Sequence, residues 1–407
     1  MEKILSRLQE KMAALDCEHS DLRWVQLKRQ KIRTRHGAVD EAGEIRSEGV
    51  GIRVLKEGAF GFSATGDLSE KSLFDHLNQA YQMARRFSKI RHAEVKLAPA
   101  KPVRAKWKAK IKEDPWKISL AQKVMPLIEA EKRMLSRSGV DSTSGALDFT
   151  EKKVVFISGS GSWIEQVYYR SGGWLLGEVD ISSKHTFGNG FEKIKRSWPG
   201  PSGRFRAQGY EAIRDLEFEK ETDRLGEELK ELRRSPEAPA GKFDLILKGS
   251  ILALQLHETF GHASESDRVY GYEDNFGGRT FLNPGLLGGL PVASPCVNLV
   301  SDARPQARQA GAGSFVYDDE GVLAKRFEIL KKGVFKNYLT SRETAFFLNQ
   351  NESTVDMVAE DWSHYPLIRM TNFNFLPGKG SLNDLIHDTE EGILLDNELS
   401  WSIDEMR

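Results

Sequence analysis

The residues best suited to chemistry lie in Gln255-Leu256-His257-Glu258-Thr259-Phe260-Gly261-His262-Ala263-Ser264-Glu265-Ser266-Asp267. The core of this stretch is His-Glu-x-x-x-His. Two imidazoles suit a divalent metal, and the carboxylate beside the first suits a general base acting on metal-bound water. The spacing is one residue longer than in the related zinc-protease helix motif. At about 100° per residue, positions i and i+4 lie ~40° apart around a helix, whereas i and i+5 lie ~140° apart. A regular helix therefore does not easily let His257 and His262 share one ion. The pattern predicts either a π-bulge or a break near Gly261 that swings His262 back. The plain alternative is one helix bearing two unrelated histidines. With nine histidines in 407 residues, the grouping is modestly unusual. Beyond the motif, Glu265 and Asp267 are either acceptors that orient an imidazole or a solvated helix end.

Other patterns have plainer explanations. Gly159-Ser160-Gly161-Ser162 lacks the lysine and following helix of a phosphate loop and reads as a hairpin turn. Asp318-Asp319-Glu320-Gly321 lacks the spaced ligands of a calcium loop and reads as a β-turn. The glycine-rich run from Gly277 to Pro291 is either a loop over the site or exposed surface. Trp107, Trp116, Trp163 and Trp174 read as packing residues.

The elements that must position the motif follow from periodicity. A helix is expected over Lys3 to Leu15, with Ile4, Leu5, Leu8, Met12 and Leu15 on one face. Leu22 to Leu27 reads as a strand. Gly49 to Ala64 alternates around Lys56-Glu57-Gly58 and predicts a hairpin. Ser69 is placed to cap a helix whose apolar face is Leu73, Leu77, Ala80, Tyr81 and Ala84. A second helix is expected from Pro115 to about Leu135, kinked at Pro126. Val154–Ile157, Ser162–Tyr169 and Trp174–Val179 predict a three-strand meander. Gly209 to Arg234 predicts a charged helix with Ile213, Leu216, Leu225, Leu229 and Leu232 inward. Short strands follow at Phe243–Leu247 and Gly333–Leu339, and Ser250 is a plausible cap for the motif helix.

Ser235-Pro236-Glu237-Ala238-Pro239-Ala240-Gly241 is the clearest linker, because two prolines and a glycine fit neither a helix interior nor a central strand. The expected fold is α+β. An N-terminal α/β domain spans 1–235, and a β-rich C-terminal domain carrying the motif helix spans 236–407.

Composition narrows the function classes. Residues are 39 % hydrophobic and 29 % charged, which supplies a core and excludes global disorder. Lys plus Arg and Asp plus Glu both number 59, so nothing in the balance favours wrapping nucleic acid. No uncharged apolar run approaches the roughly 18 residues of a membrane span. Cys17 and Cys296 are the only cysteines, which fits a reducing, cytoplasmic setting better than a disulfide framework.

The motif and its surroundings resemble the TldD/PmbA family of zinc metallopeptidases, in particular the TldD-like half. Similar landmarks occur in order along most of the chain. They are Gly49-Val50-Gly51-Ile52-Arg53-Val54 with Gly58-Ala59-Phe60-Gly61-Phe62 and Ala64-Thr65, then Tyr317-Asp318-Asp319-Glu320-Gly321-Val322. Gly333-Val334 with Tyr338-Leu339 follows, and Arg369-Met370-Thr371-Asn372 with Pro377-Gly378 completes the set. The resemblance implies Zn2+ held by His257 and His262, with Glu258 as the catalytic base in hydrolysis of peptides or unfolded polypeptide. It implies a homodimer, or a heterodimer with a PmbA-like subunit, and an interior site admitting extended chains. The family's third ligand is a cysteine in a Gly-x-Cys-Gly-Lys segment, which this sequence lacks. The chain is thus expected to be C-terminally truncated relative to the family, with Cys296 a weak substitute and Cys17 a weaker one. The alternative function is a non-catalytic member that binds a partner or peptide.

Overall fold

Two long antiparallel strands, β1 (His19–Arg35) and β2 (Ala38–Lys56), dominate the first part of the chain. Their tight turn is His36-Gly37, both at positive φ (50° and 71°), as a two-residue hairpin with the natural strand twist requires. β2 turns at Glu57-Gly58 into β3 (Ala59–Thr65), the hairpin expected there. In this computed structural model the described residues are all but 137–138, 182–192, 237, 276, 307–310, 399–400 and 402–407.

The strands run well past the apolar segments that announced them. Residues 28–31 and 40–48 are dominated by Lys, Arg, Asp, Glu and Gln, so hydrophobic alternation is weak there. Backbone pairing carries them instead, with Lys28 opposite Arg46 on one side and Glu151 on the other.

The sheet continues through β4 (Arg104–Lys108), β5 (Ser142–Ser158), β6 (Trp163–Asp180), β7 (Lys193–Trp198) and β8 (Arg204–Arg206). Its order is β3-β2-β1-β5-β6-β4, with β7 and β8 also paired to β6, and only β4 lies parallel to its neighbour. The expected second and third strands of the meander are one strand, β6. Gly172-Gly173 is not its turn. A Cβ at Gly172 would sit 2.2 Å from the Arg204 carbonyl oxygen, and one at Gly173 would sit 2.3 Å from that of Ala146. These glycines let neighbouring strands approach. The Gly159–Ser162 turn between β5 and β6 is the hairpin expected, with Ser158 N–H donating to the Ser162 carbonyl.

Side chains alternate across a strand, so the sheet has two distinct faces. Helices cover one. α1 (Glu2–Ala13) and α2 (Glu70–Phe87) bury Leu5, Leu8, Met12, Leu73 and Leu77 against Leu22, Val50, Ile52 and Ile157. Ser69 caps α2 by accepting from Ser72 N–H. α3 (Leu120–Leu135), α4 (Glu211–Arg214) and α5 (Phe218–Leu232) cover the rest, with Leu127, Met134, Leu225 and Leu229 against Ile32, Leu147 and Leu175. Two helix expectations change. Pro115–Lys117 is a separate 3-10 turn, and α3 starts after Ser119, whose capping box with Gln122 fixes the start there; the helix continues through Pro126. The charged helix divides at Glu217, whose φ is 47°.

The C-terminal part covers the other face. Its strands are β9 (Asp244–Leu247), β10 (Leu299–Asp302), β11 (Arg326–Lys331), β12 (Val334–Phe335), β13 (Met357–Val358), β14 (Leu367–Ile368), β15 (Phe373–Phe375) and β16 (Gly392–Leu395). They form a sheet of order β12-β11-β10-β15 and the pairs β13-β14 and β9-β16. Leu256, Leu299, Leu330, Phe335, Tyr338 and Leu339 form their core. The Asp318–Gly321 turn is closed by Gly321 N–H to the Asp318 carbonyl, as expected of a β-turn. The architecture is α+β.

Candidate metal centre

The motif is carried by α6 (Gly249–Leu256) and the two irregular turns that follow it. Ser250 does not cap α6. Its hydroxyl donates instead to the Asp396 carbonyl at 3.1 Å, beside the β9-β16 pair. Leu256 anchors the helix end in the C-terminal core. The backbone then widens into a π-turn over His257–Gly261, closed by His262 N–H to the His257 carbonyl, and ends in a 3-10 turn over His262–Ser264. Both devices weighed from the spacing are present, the π-turn first and the break after Gly261. Gly261 lies at φ −63° and ψ −66°, a conformation open to any residue, so glycine is needed there for contact and not for conformation. A Cβ there would lie 1.9 Å from Met370 Sδ.

The extra residue per turn brings positions i and i+5 together. The His257 and His262 ring centroids are 4.6 Å apart with planes at 82°. One ligand atom from each of His257, Glu258 and His262 lies within 4.8 Å of the others. Glu258 Oε2 is 3.9 Å from His262 Nε2, and its side chain is only 6 % exposed. His257 is exposed, at the wall of a cavity of about 600 Å³ between the C-terminal part and the open sheet face.

Two models of one metallopeptidase family match this chain. That described as the PmbA/TldA metallopeptidase C-terminal domain matches residues 240–407, and that described as PmbA/TldA metallopeptidase domain 1 matches residues 20–84. The chain belongs to the TldD/PmbA family. A metalloprotease of Methanocaldococcus jannaschii is 29 % identical over 379 residues, 92 % of this chain and 76 % of the relative. A zinc metalloprotease TldD homolog of Saccharolobus solfataricus is 30 % identical over 161 residues, 38 % of this chain and 32 % of its own length. The crystal structure of TldE from Thermococcus kodakarensis shares the fold, with a TM-score of 0.70 and 17 % identity over 100 % of this chain and 84 % of that one.

In this TldD/PmbA chain, Glu265 rather than Asp267 faces the histidine. His262 Nδ1 lies 2.9 Å from Glu265 Oε2, and Arg268 Nε donates to the same oxygen at 3.0 Å. Arg268 Nη2 also lies 3.0 Å from Nδ1. In the tautomer that donates Nδ1–H to Glu265, the Nε2 lone pair is free on the side of Glu258, the form that ligates a metal. Two imidazoles, one oriented by a buried carboxylate, are ligand types suited to zinc, and Glu258 beside them is placed as a base and not as a third ligand. The loop after the motif is tied down beside it, because Thr280 donates to the Ala263 carbonyl and Arg268 donates to the Gly277 carbonyl.

Asp267 is buried and accepts from Arg268 N–H at 3.0 Å. Burial, then Glu265 and Glu273, pushes its pKa up to about 7. A carboxyl raised in the folded state costs stability as pH climbs from its unfolded value toward the folded one. Asp267→Asn is therefore expected to raise the melting temperature at pH 8 and to leave it little changed at pH 4. Melting curves across that range check the sign.

Neither cysteine joins the cluster among the described residues. Cys296, weighed as a substitute ligand, is exposed on the Ser294–Val297 turn, with its Sγ 3.3 Å from Ser294 Oγ. Cys17 packs against the α1/α2 core, and burial pushes its thiol pKa up. The sequence reading missed the sheet residues that wall the cavity, including Arg29, Thr150, Lys152, Tyr168 and Arg170. No local motif marks them, because they become neighbours only through strand register.

Proposed function

We propose that this chain is a zinc metallopeptidase acting on peptides or unfolded polypeptide, with His257 and His262 as metal ligands and Glu258 as the general base. The observation that carries the reading is the convergence of these three side chains on a π-turn beside a cavity of about 600 Å³. That volume falls in the usual range of ligand sites. When bound, zinc supplies Lewis acidity toward a carbonyl oxygen and a lowered pKa for water. Glu258, held in a largely desolvated position, accepts the proton of the attacking water and returns it to the leaving amine. Glu265 fixes the ring of His262. The metalloprotease names of the relatives support the reaction class, and the partner subunit we propose, either a second copy or a PmbA-like homologue, follows from the family resemblance alone. We place the domain division at 235/236 and the protein in the cytoplasm. Among the described residues no helix is long and apolar enough to cross a membrane.

A second reading, a non-catalytic member that binds a peptide or partner, is favoured by one observation. Among the described residues the cluster holds no donor beyond two imidazoles and Glu258. Metal stoichiometry separates the two. The purified chain is expected to hold about one zinc, lost in His262→Ala. Glu265→Gln is expected to weaken zinc affinity about 10- to 100-fold, the usual effect of removing a group that orients a ligating histidine. A wild-type chain with no zinc above the level of His262→Ala would favour the second reading.

A further inference from the structure

The wall of the cavity opposite α6 carries more cationic chemistry than the proposed metal centre uses. Arg29, Thr150 and Arg170 stand in register across β1, β5 and β6, and Leu27, Lys152 and Tyr168 form the adjacent row. All six side chains line the cavity. Three of the cations lining it are engaged. Arg29 clasps Asp148 through Nε and Nη2, the latter at 2.7 Å. Lys152 Nζ donates to the Ala359 and Glu360 carbonyls at 2.9 and 3.2 Å. Arg369 Nη1 donates to the Ile368 carbonyl at 2.9 Å.

Arg170 differs. Among the described residues its guanidinium makes no hydrogen bond and no ion pair, although it remains accessible within the cavity. Burial pulls its pKa below the ordinary guanidinium value, Asp148 opposes that, and Arg29 adds to it. The acidic residues on the opposite wall do not neutralise it. Asp319 accepts from Arg23 and from Ala359 N–H. Burial and then Glu320 push the Asp318 pKa well above the ordinary carboxylate range, which favours its neutral form. Of the four cations lining the cavity, Arg29 is thus paired with Asp148, Arg369 lies 4.0 Å from Glu273, and Asp319 on the opposite wall is already engaged, which leaves Arg170 as the one with neither a hydrogen bond nor an ion pair among the described residues.

We propose that Arg170 is an anion subsite that binds a carboxylate of the peptide, either its C-terminus or an Asp or Glu side chain, while another part of the peptide lies at His257. The fork of a guanidinium matches a carboxylate through two parallel hydrogen bonds, and Arg170 is exposed to the cavity with no partner to give up among the described residues. This assignment rests on the peptidase reading and names the substrate class for the same site, a peptide bearing a negative charge.

The test is peptide binding to the full chain carrying Glu258→Gln, read by fluorescence anisotropy with an uncharged N-terminal label. Three peptides share one neutral core: a C-terminal amide, the same with a free C-terminal carboxylate, and the amide with one internal Asp. At least one acidic peptide is expected to bind about tenfold or more tightly than the neutral amide, the scale of one hydrogen bond to a charged group. Whichever acidic peptide gains identifies the carboxylate. Arg170→Gln should erase the difference, and Arg170→Lys should restore part of it. Equal binding of all three peptides, a preference that survives Arg170→Gln, or no binding overturns the subsite. Hydrolysis of the neutral amide by the wild-type chain, compared with Glu258→Gln, judges the peptidase reading separately.

Discussion

Glu258→Gln is expected to lower kcat/KM for peptide hydrolysis by about 100- to 10,000-fold, the usual contribution of a positioned general base. Glutamine keeps the volume and planarity of the side chain and removes only its ability to take a proton. Glu258 sits on the π-turn directly after His257, 6 % exposed and 3.9 Å from His262 Nε2, so a group of the same shape keeps its place. The base reading requires that zinc be retained and that kcat fall while KM changes little. Loss of zinc together with activity would instead make Glu258 a ligand, and unchanged hydrolysis would remove it from the mechanism. Steady-state kinetics paired with elemental analysis of the same preparations separates the three results.

The largest expected loss of stability is at Arg53. Arg53→Met should cost about 3–5 kcal/mol, the scale of breaking a buried ion pair by removing one partner. Arg53 is 1 % exposed and Asp21 is fully buried. Arg53 Nη2 donates to Asp21 Oδ2 at 2.7 Å, Nε donates to the same carboxylate at 3.1 Å, and Nη1 reaches Glu320 Oε1 at 3.4 Å. The rings of Phe60 and Tyr365 each lie 5.3 Å from the guanidinium. Burial alone would raise the Asp21 pKa, but Arg53, aided by His19, holds it well below the usual carboxylate range. A depressed folded pKa gives stability that is present above the unfolded value near pH 4 and is lost as pH falls below it. In Arg53→Met the buried Asp21 loses its main counter-charge, so neutral pH should become the unfavourable side. Urea unfolding at pH 7 should show the full loss, and a second change, Asp21→Leu, should recover much of it. A loss under about 1 kcal/mol at pH 7 would mean that water or a rearranged partner satisfies the aspartate.

Arg53 also shows where sequence reasoning ran short. The Gly49–Ala64 alternation identified a hairpin, yet it could not say that an arginine on its far face would meet Glu320, 267 residues later. The Ser69 cap, the Glu57-Gly58 turn and the Gly159–Ser162 turn were legible because their hydrogen bonds close within a few residues. Gly172-Gly173 misled because a glycine pair that admits a neighbouring backbone has the same composition as one that makes a turn. The polar outer lengths of β1 and β2 were silent because half-solvated strands held by backbone pairing carry no apolar alternation.

By itself, the sequence determined that His257 and His262 could meet only on an irregular helix, since five residues overshoot one α-helical turn. It also determined that an α+β chain would carry them. The tertiary structure decided that Glu265 and not Asp267 reaches His262, that Met370 lies where a Gly261 side chain would be, and that Arg29, Lys152 and Arg170 line one cavity. The reason is range. Helix periodicity and capping are settled by bonds among near neighbours, whereas the cavity wall depends on the register of strands that start more than a hundred residues apart in the chain.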